Sequence, residues 1–492
     1  VDADLFDSSV FGTATLQCPK GFADVYAEAP VWKNFTVIKD DFLLDVNSGD
    51  RFVFQKMPYE ITSLKDGEMT VKAKFHHFDG KHRDTAVEIA NAKFSGDVVI
   101  PSEITYMDKK FRVTEISDSA FFRAKNLTSV TMPADIKGFG KNMFDGCEKL
   151  VSCNIPDNVT EISPNCFSSC AALKSIVIPA GVTAIGNNAF YYCSSLESIS
   201  LPEGLKTIGE HAFYECGKLT EIKLPAGVTA IPAFAFGNCR SLLHFEFSDR
   251  IASIGASALA GCIKLKSVKL PSAITAIPNS LFDGCKALTS VNIPASVTSI
   301  GSRAFYNCAV FDFAIPAQIT KIGSSAFYGC NALTEVSVPE GVTVLETSTF
   351  QNCQNLASVT LHDGITKIGG SVFRNCAKLS AITLGNKSRT ASVELPSKLT
   401  TIESYLFQGC TSLTHIELPA NVKSIGTYAF EKSGLESIVL NDGVTNLGGN
   451  CFNGTKLTEI ELPATVTAVQ ANAFANCREG LKVYICAPDA LK

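Results

Sequence analysis

The chain has 492 residues, 46% of them hydrophobic, and a net charge of −5 at neutral pH. A large core can be buried, and without a basic excess an electrostatic nucleic-acid or polyanion binder is not expected. No run of about 20 apolar residues is present, so no membrane-crossing helix is expected. No secretory leader or lipid-acceptor cysteine opens the chain at Val1, which implies that a leader has been removed or that the chain begins inside a longer protein.

Residues 1–45 hold an extended piece with a proline turn, Ala14 to Gly21, and a second piece, Ala27 to Phe35, that includes the single tryptophan, Trp32. One reading is an ordinary N-terminal strand and helix; another depends on the repeat described below. From about Val46 to Phe111 alternating apolar residues predict strands around Phe52 and Phe54, Tyr59 and Ile61, and Val71 and Ala73. Asp66-Gly67 and Asp79-Gly80 supply the turn signals. Val98 to Pro101 followed by Thr105 to Val113 predicts a hairpin leading into the next segment. Residues 46–115 are read as a β-rich N-terminal cap, needed because the first coil of a stacked array would otherwise expose its apolar end.

Residues 116–480 repeat. An anchor aromatic recurs at Phe121, Phe144, Phe167, Phe190, Phe213 and Phe236, gives way to Leu259, and resumes at Phe282, Phe305, Phe327, Phe350, Phe373, Phe407, Phe430, Phe452 and Phe474. Most steps are 23 residues, three are 22, and the step from Phe373 to Phe407 is 34, so an insertion of about eleven residues, 385–395, interrupts the array. The unit reads L-x-x-I-x-L-P-x-x-V-x-x-I-G-x-x-A-F-x-x-C. Leu219, Ile222 and Leu224 exemplify a short strand, and Pro225 ends it. Val297 and Ile300 predict a second extended piece facing inward, and Gly186 and Gly301 are expected to supply a backbone conformation other residues resist. The spacing of Ala304, Phe305 and Cys308 predicts one helical turn. The fold class is therefore a repeat solenoid of about sixteen coils, with short parallel strands and short helical turns, roughly 75 Å long at strand spacing. Residues 481–492 begin a closing segment.

Thirteen of the eighteen cysteines fall three residues after the anchor, from Cys147 to Cys477. Side chains in one slot of stacked coils point the same way, whereas a bridge needs them to converge, so a ladder of free buried thiols is favoured over disulfides. Cys18, Cys153, Cys166, Cys451 and Cys486 lie outside the ladder and are the better candidates for any bridge.

The phrase LTSVNIPASVTSIGSRAFYNC, Leu288 to Cys308, closely resembles the consensus of BspA-type, or Treponema-type, leucine-rich repeats of bacterial surface proteins. It departs from ordinary leucine-rich repeats in lacking a regular asparagine after the strand. The resemblance implies a curved array with parallel strands inside, presented outside the cell or on its surface, that adheres to host or neighbouring-cell proteins. Residues 1–45 are similar to the closing segment of such arrays, the tail of a preceding module.

Sites are sparse. His76, His77 and His82 form the one histidine cluster, an exposed polar hairpin or a place where a metal could be imagined; no metal or cofactor is assigned. No phosphate loop, nucleophile elbow, zincin or calcium-loop pattern is present. On the strands the outward positions include Glu221, Lys223, His244, Glu246, Lys269, His415 and Glu417; with Lys387 and Arg389 of the insertion these are the candidate binding residues. The expectation is a non-enzymatic binding module for extracellular proteins. A glycan binder or structural spacer is the alternative, and an enzyme would need a pocket joining a histidine to two carboxylates.

Overall fold

The computed structural model describes residues 15–19, 37–42, 51–54, 57–63, 70–73, 94–106, 109–309, 314–385 and 393–486. β1 (Thr15–Pro19) pairs parallel with β2 (Val37–Phe42), Thr15 facing Val37 at an offset of 22 residues, the spacing of a shorter coil. β3 (Arg51–Phe54), β4 (Met57–Ser63) and β5 (Thr70–Ala73) form an antiparallel meander where strands were expected. β6 (Ser95–Val99) is followed by the hairpin of β7 (Glu103–Tyr106) and β8 (Lys109–Ile116), and the five-stranded sheet runs β3-β4-β5-β8-β7. The Asp79-Gly80 turn, the His76, His77 and His82 cluster, and Trp32 lie outside the described residues.

The hairpin expected from Val98 onward is shorter than its sequence suggested. β6 does not join β7 but pairs parallel with the strand Asn126–Thr131. Val98 to Pro101 is itself a strand-proline phrase. Ile100 N–H donates to Thr131 O at 2.9 Å, and the ring of Phe94 meets Phe121 edge-on at 5.4 Å.

In the array each coil contributes to three ladders. The first is made by short strands such as Ser175–Val177 and Ser198–Ser200, which pair parallel with Ile176 opposite Ile199. A tight turn closed by Val182 N–H on Pro179 O, 3.1 Å, then leads to the second ladder, where Ile185 lies opposite Ile208. Three coils lack proline at this turn, and a side chain takes over. His362 Nδ1 accepts from Gly364 N–H at 3.1 Å, Asn441 Oδ1 from Gly443 N–H at 2.7 Å, and Ser248 Oγ from Arg250 N–H at 3.2 Å, so a local side-chain bond imitates the turn.

The third ladder corrects two expectations. The segment ending in the cysteine is a series of turns, not a helical turn. The N–H groups of Asn188, Phe190 and Tyr192 donate to the carbonyls of Glu210, Ala212 and Tyr214 in the next coil at 2.8–2.9 Å, while those of Tyr191 and Cys193 close i→i−3 turns. A helix would spend its N–H groups internally and leave none for the neighbour. This alternation is made by left-handed residues two before and two after the anchor, with φ of 56° at both Asn188 and Tyr192. Gly186 is not among the positive-φ glycines. Its reason is space: a Cβ there would sit 2.6 Å from Pro164 N of the preceding coil.

The apolar side chains fill the interior between the ladders. Phe121 to Phe236 stack with ring centroids 5.3–5.4 Å apart, and Phe282 to Phe474 form a second stack at 5.4–6.2 Å. Leu259 separates the two. Volume lost there is restored by Phe245, in a slot that most other coils fill with Ile or Val, whose ring lies 5.0 Å from Phe236 and 4.9 Å from Phe247. The insertion leaves the stack intact, with Phe373 and Phe407 5.8 Å apart. On the strand side it adds material instead: Val393 bridges to Ile382, and Glu394 N–H donates to Ile382 O at 2.8 Å.

The cysteine ladder is present and its thiols are free. Cys193 Sγ–H donates to Phe167 O at 3.1 Å, Cys216 to Phe190 O at 3.2 Å, and the pattern continues along the array. Of the other cysteines, Cys153, Cys166, Cys451 and Cys486 are free as well, so no bridge forms among the described residues. Burial pushes the thiols of Cys193, Cys262, Cys353 and Cys410 up to about 12.

Two outcomes follow. Phe213→Ala removes a fully buried ring contacted by both neighbours and should destabilise the array by about 3–5 kcal/mol, read as a lower midpoint in urea denaturation; an unchanged midpoint would mean that the stack does not couple the coils. For the thiols, the unfolded chain loses protons above about pH 9 while the folded chain holds them to about 12, so the unfolded state gains with rising pH. Stability should be intact below pH 9 and fall above it, and a thiol reagent at pH 8 should reach Cys486 while the buried ladder from Cys147 to Cys410 reacts only after denaturation.

Candidate binding surface

Side chains alternate along these extended segments, so Ile222, Phe245, Val268 and Ile416 point inward, and Glu221, Lys223, His244, Glu246, Lys269, His415 and Glu417 all reach solvent on one face. Glu221 and Lys223 share a shallow hollow with Ser198, Ser200 and Glu203 of the previous coil. Strand pairing is interrupted there: on this face the strand ending at Ser200 is followed by none until Ser267. His244, Glu246 and Lys269 continue the same row on the following coils. Toward its start the face is small and polar, with Ser129, Ser152 and Asn154 around a second hollow. The hydroxyls of Ser129 and Thr128 donate to Asp97 at 2.6 and 2.8 Å and hold its carboxyl below its usual range.

The third hollow lies at the insertion. Val393, Glu394 and Leu395, its last residues, line this hollow together with Leu384, His415 and Glu417. His415 Nδ1 lies 2.7 Å from Ser437 Oγ on the next coil. A histidine and two carboxylates therefore line the same hollow, residue types that can act as general acids or bases. Lys387 and Arg389 lie outside the described residues. Among the described residues no group of three or more His, Cys, Asp or Glu side chains could hold a metal ion.

The third ladder carries features that attention to the strands misses. On three consecutive coils Tyr191, Tyr192, His211, Tyr214 and Phe234 form a cluster of rings: Tyr191 lies 4.5 Å from Tyr192 and stacks on Tyr214 at 5.4 Å, and His211 stacks on Phe234 at 4.7 Å. Farther along, Tyr306 stacks on Tyr328 at 4.4 Å with the Arg303 guanidinium 3.7 Å above its ring. The signal was in the sequence: aromatic residues crowd the slots flanking the anchor in these coils and not in their neighbours.

Parallel ladders repeating at 22 or 23 residues around an aromatic stack define a leucine-rich-repeat solenoid. The chain belongs to the family of the BspA type leucine rich repeat region, whose model matches in six copies over residues 88–206, 113–242, 160–289, 206–333, 298–392 and 386–488. Among solved structures, a leucine-rich repeat protein from Bacteroides ovatus is 26% identical, covering 89% of this chain and 100% of its own, with a TM-score of 0.60. A leucine rich cell surface protein from Faecalibacterium prausnitzii is 22% identical over 90% of this chain and 97% of its own, with a TM-score of 0.38. The pneumococcal vaccine antigen PcpA is 17% identical over 90% of this chain and 100% of its own, with a TM-score of 0.35. No curated protein matches the chain. Among the described residues no helix is long and apolar enough to cross a membrane.

Proposed function

We propose that the protein is a non-catalytic binding module, secreted or held at the cell surface, whose strand face engages extracellular proteins of a host matrix or of neighbouring cells. The observation that carries this reading is the hollow beside the insertion. An extra rung beside Ile382 sets Val393 and Leu395 next to His415 and Glu417, so an element absent from the other coils meets the charged row of the strand face. Insertions in solenoids emerge on one side and are common places for binding specificity. The mixed signs of Glu221, Lys223, Glu246 and Lys269 suit a polar protein surface better than a polyanion.

The test is capture of the full chain on an array of extracellular-matrix proteins, beside a variant lacking residues 386–392 and the double variant His415→Ala, Glu417→Ala. The shorter deletion spares Val393 and Leu395, which are buried. Loss of at least about tenfold in affinity, a free-energy change of about 1.4 kcal/mol, is expected in both variants; full binding by both would remove the strand face from the interaction.

The same hollow favours a second reading, hydrolytic chemistry at His415, which is hydrogen-bonded to Ser437 and shares its surroundings with Glu394 and Glu417. Turnover of a nitrophenyl ester or glycoside that disappears in His415→Ala would establish it, and equal rates in the two proteins would exclude it.

A further inference from the structure

We propose that the turns around Phe190, Phe213 and Phe236 form a separate site for a short neutral oligosaccharide. The backbone supplies the first argument. Every coil places left-handed residues two before and two after its anchor, with φ between 54° and 77°. Most of these positions are Asn, Ser or Gly, which adopt that conformation at least cost. At three successive coils Tyr192, His211 and Phe234 occupy them instead, with φ of 56°, 55° and 56°, as Tyr405 and Tyr428 do farther along with 61° and 59°. Bulky rings held there lower stability, and such strain collects at functional sites.

The surroundings supply the second. Tyr192 is 43% exposed and leans on Tyr191, so part of its ring faces solvent. Room for Tyr214 depends on Gly237, where a Cβ would lie 2.8 Å from that ring, and Asn238 Nδ2 donates to the Tyr214 hydroxyl at 2.9 Å. Beside the rings Arg240 pairs with Glu215 at 3.4 Å. Aromatic planes bordered by an amide, a carboxylate and a guanidinium match a sugar, whose C–H face packs on a ring while its hydroxyls bond to planar polar groups. The charges balance, which favours a neutral ligand.

Size separates this ligand from a protein. Three coils span roughly 10–15 Å, enough for two or three sugar units, whereas a stable protein contact needs about 800 Å² from each partner. The other aromatic groups on this side are already occupied. The guanidinium carbons of Arg123, Arg303 and Arg374 lie 5.1, 3.7 and 5.0 Å from the centres of the Phe122, Tyr306 and Tyr405 rings.

Saturation-transfer NMR on the full chain with cellohexaose, maltohexaose, xylohexaose and chitohexaose tests the site, using Tyr192→Asn and Phe234→Asn. Both variants install a residue that other coils use in the same slot, so folding is preserved. Transfer to at least one sugar is expected, with affinity at least tenfold weaker in both variants, melting temperature unchanged or raised, and no effect of His415→Ala. Silence with all four sugars, undiminished affinity in the variants, or a lowered melting temperature in both would overturn the proposal. So would a protein ligand lost in the same variants without any sugar binding. None of these results bears on capture through the strand face.

Discussion

Each coil's apolar side chains are covered only by the coil before it and the coil after it. A unit of about 23 residues has no interior of its own, so stacking supplies the core and the inter-coil hydrogen bonds together. That dependence explains why three ladders run along the array. It also explains why the turn segment directs alternate N–H groups at the neighbouring coil when a helix would have used them locally.

The same constraint shows which substitutions the array tolerates. A slot must be filled to the right volume and its backbone groups must be paired, but the chemistry can change. Leu259 is accepted because Phe245 supplies the missing bulk, and His362, Asn441 and Ser248 replace proline by bonding to the backbone two residues on. Cysteine suits its slot as a small apolar filler whose thiol bonds to the carbonyl of the preceding anchor. Thr455 fills that slot with its hydroxyl on Phe452 O at 2.9 Å.

Function is left to what the stacking does not consume. The strand face offers a long row of outward positions, locally modified where the insertion adds a rung. The turn side offers a second surface, where Tyr192, His211 and Phe234 sit at backbone conformations that most coils fill with Asn, Ser and Gly. The two surfaces are built by different ladders, so they can change independently of the shared core.

The repeat period, the anchor stack, the inward pattern of Val182 and Ile185 and the free cysteine ladder were legible in the sequence, because each follows from spacing alone and recurs many times. So was the exposure of Glu221, His244 and His415, since the alternation of apolar and polar residues marks it. The form of the turn segment was not. Two apolar residues three apart fit a helix as well as a turn, and only the neighbour's carbonyls decide between them. Nor could Gly186 be understood locally, because the atoms that exclude a side chain belong to the preceding coil. The meeting of Val393 with His415, and of Tyr192 with Tyr191 and Tyr214, likewise depends on how an insertion or a strained turn lies against its neighbours. Sequence determined what repeats along one coil; tertiary structure decided what one coil does to the next, because contacts between coils join residues that no local pattern connects.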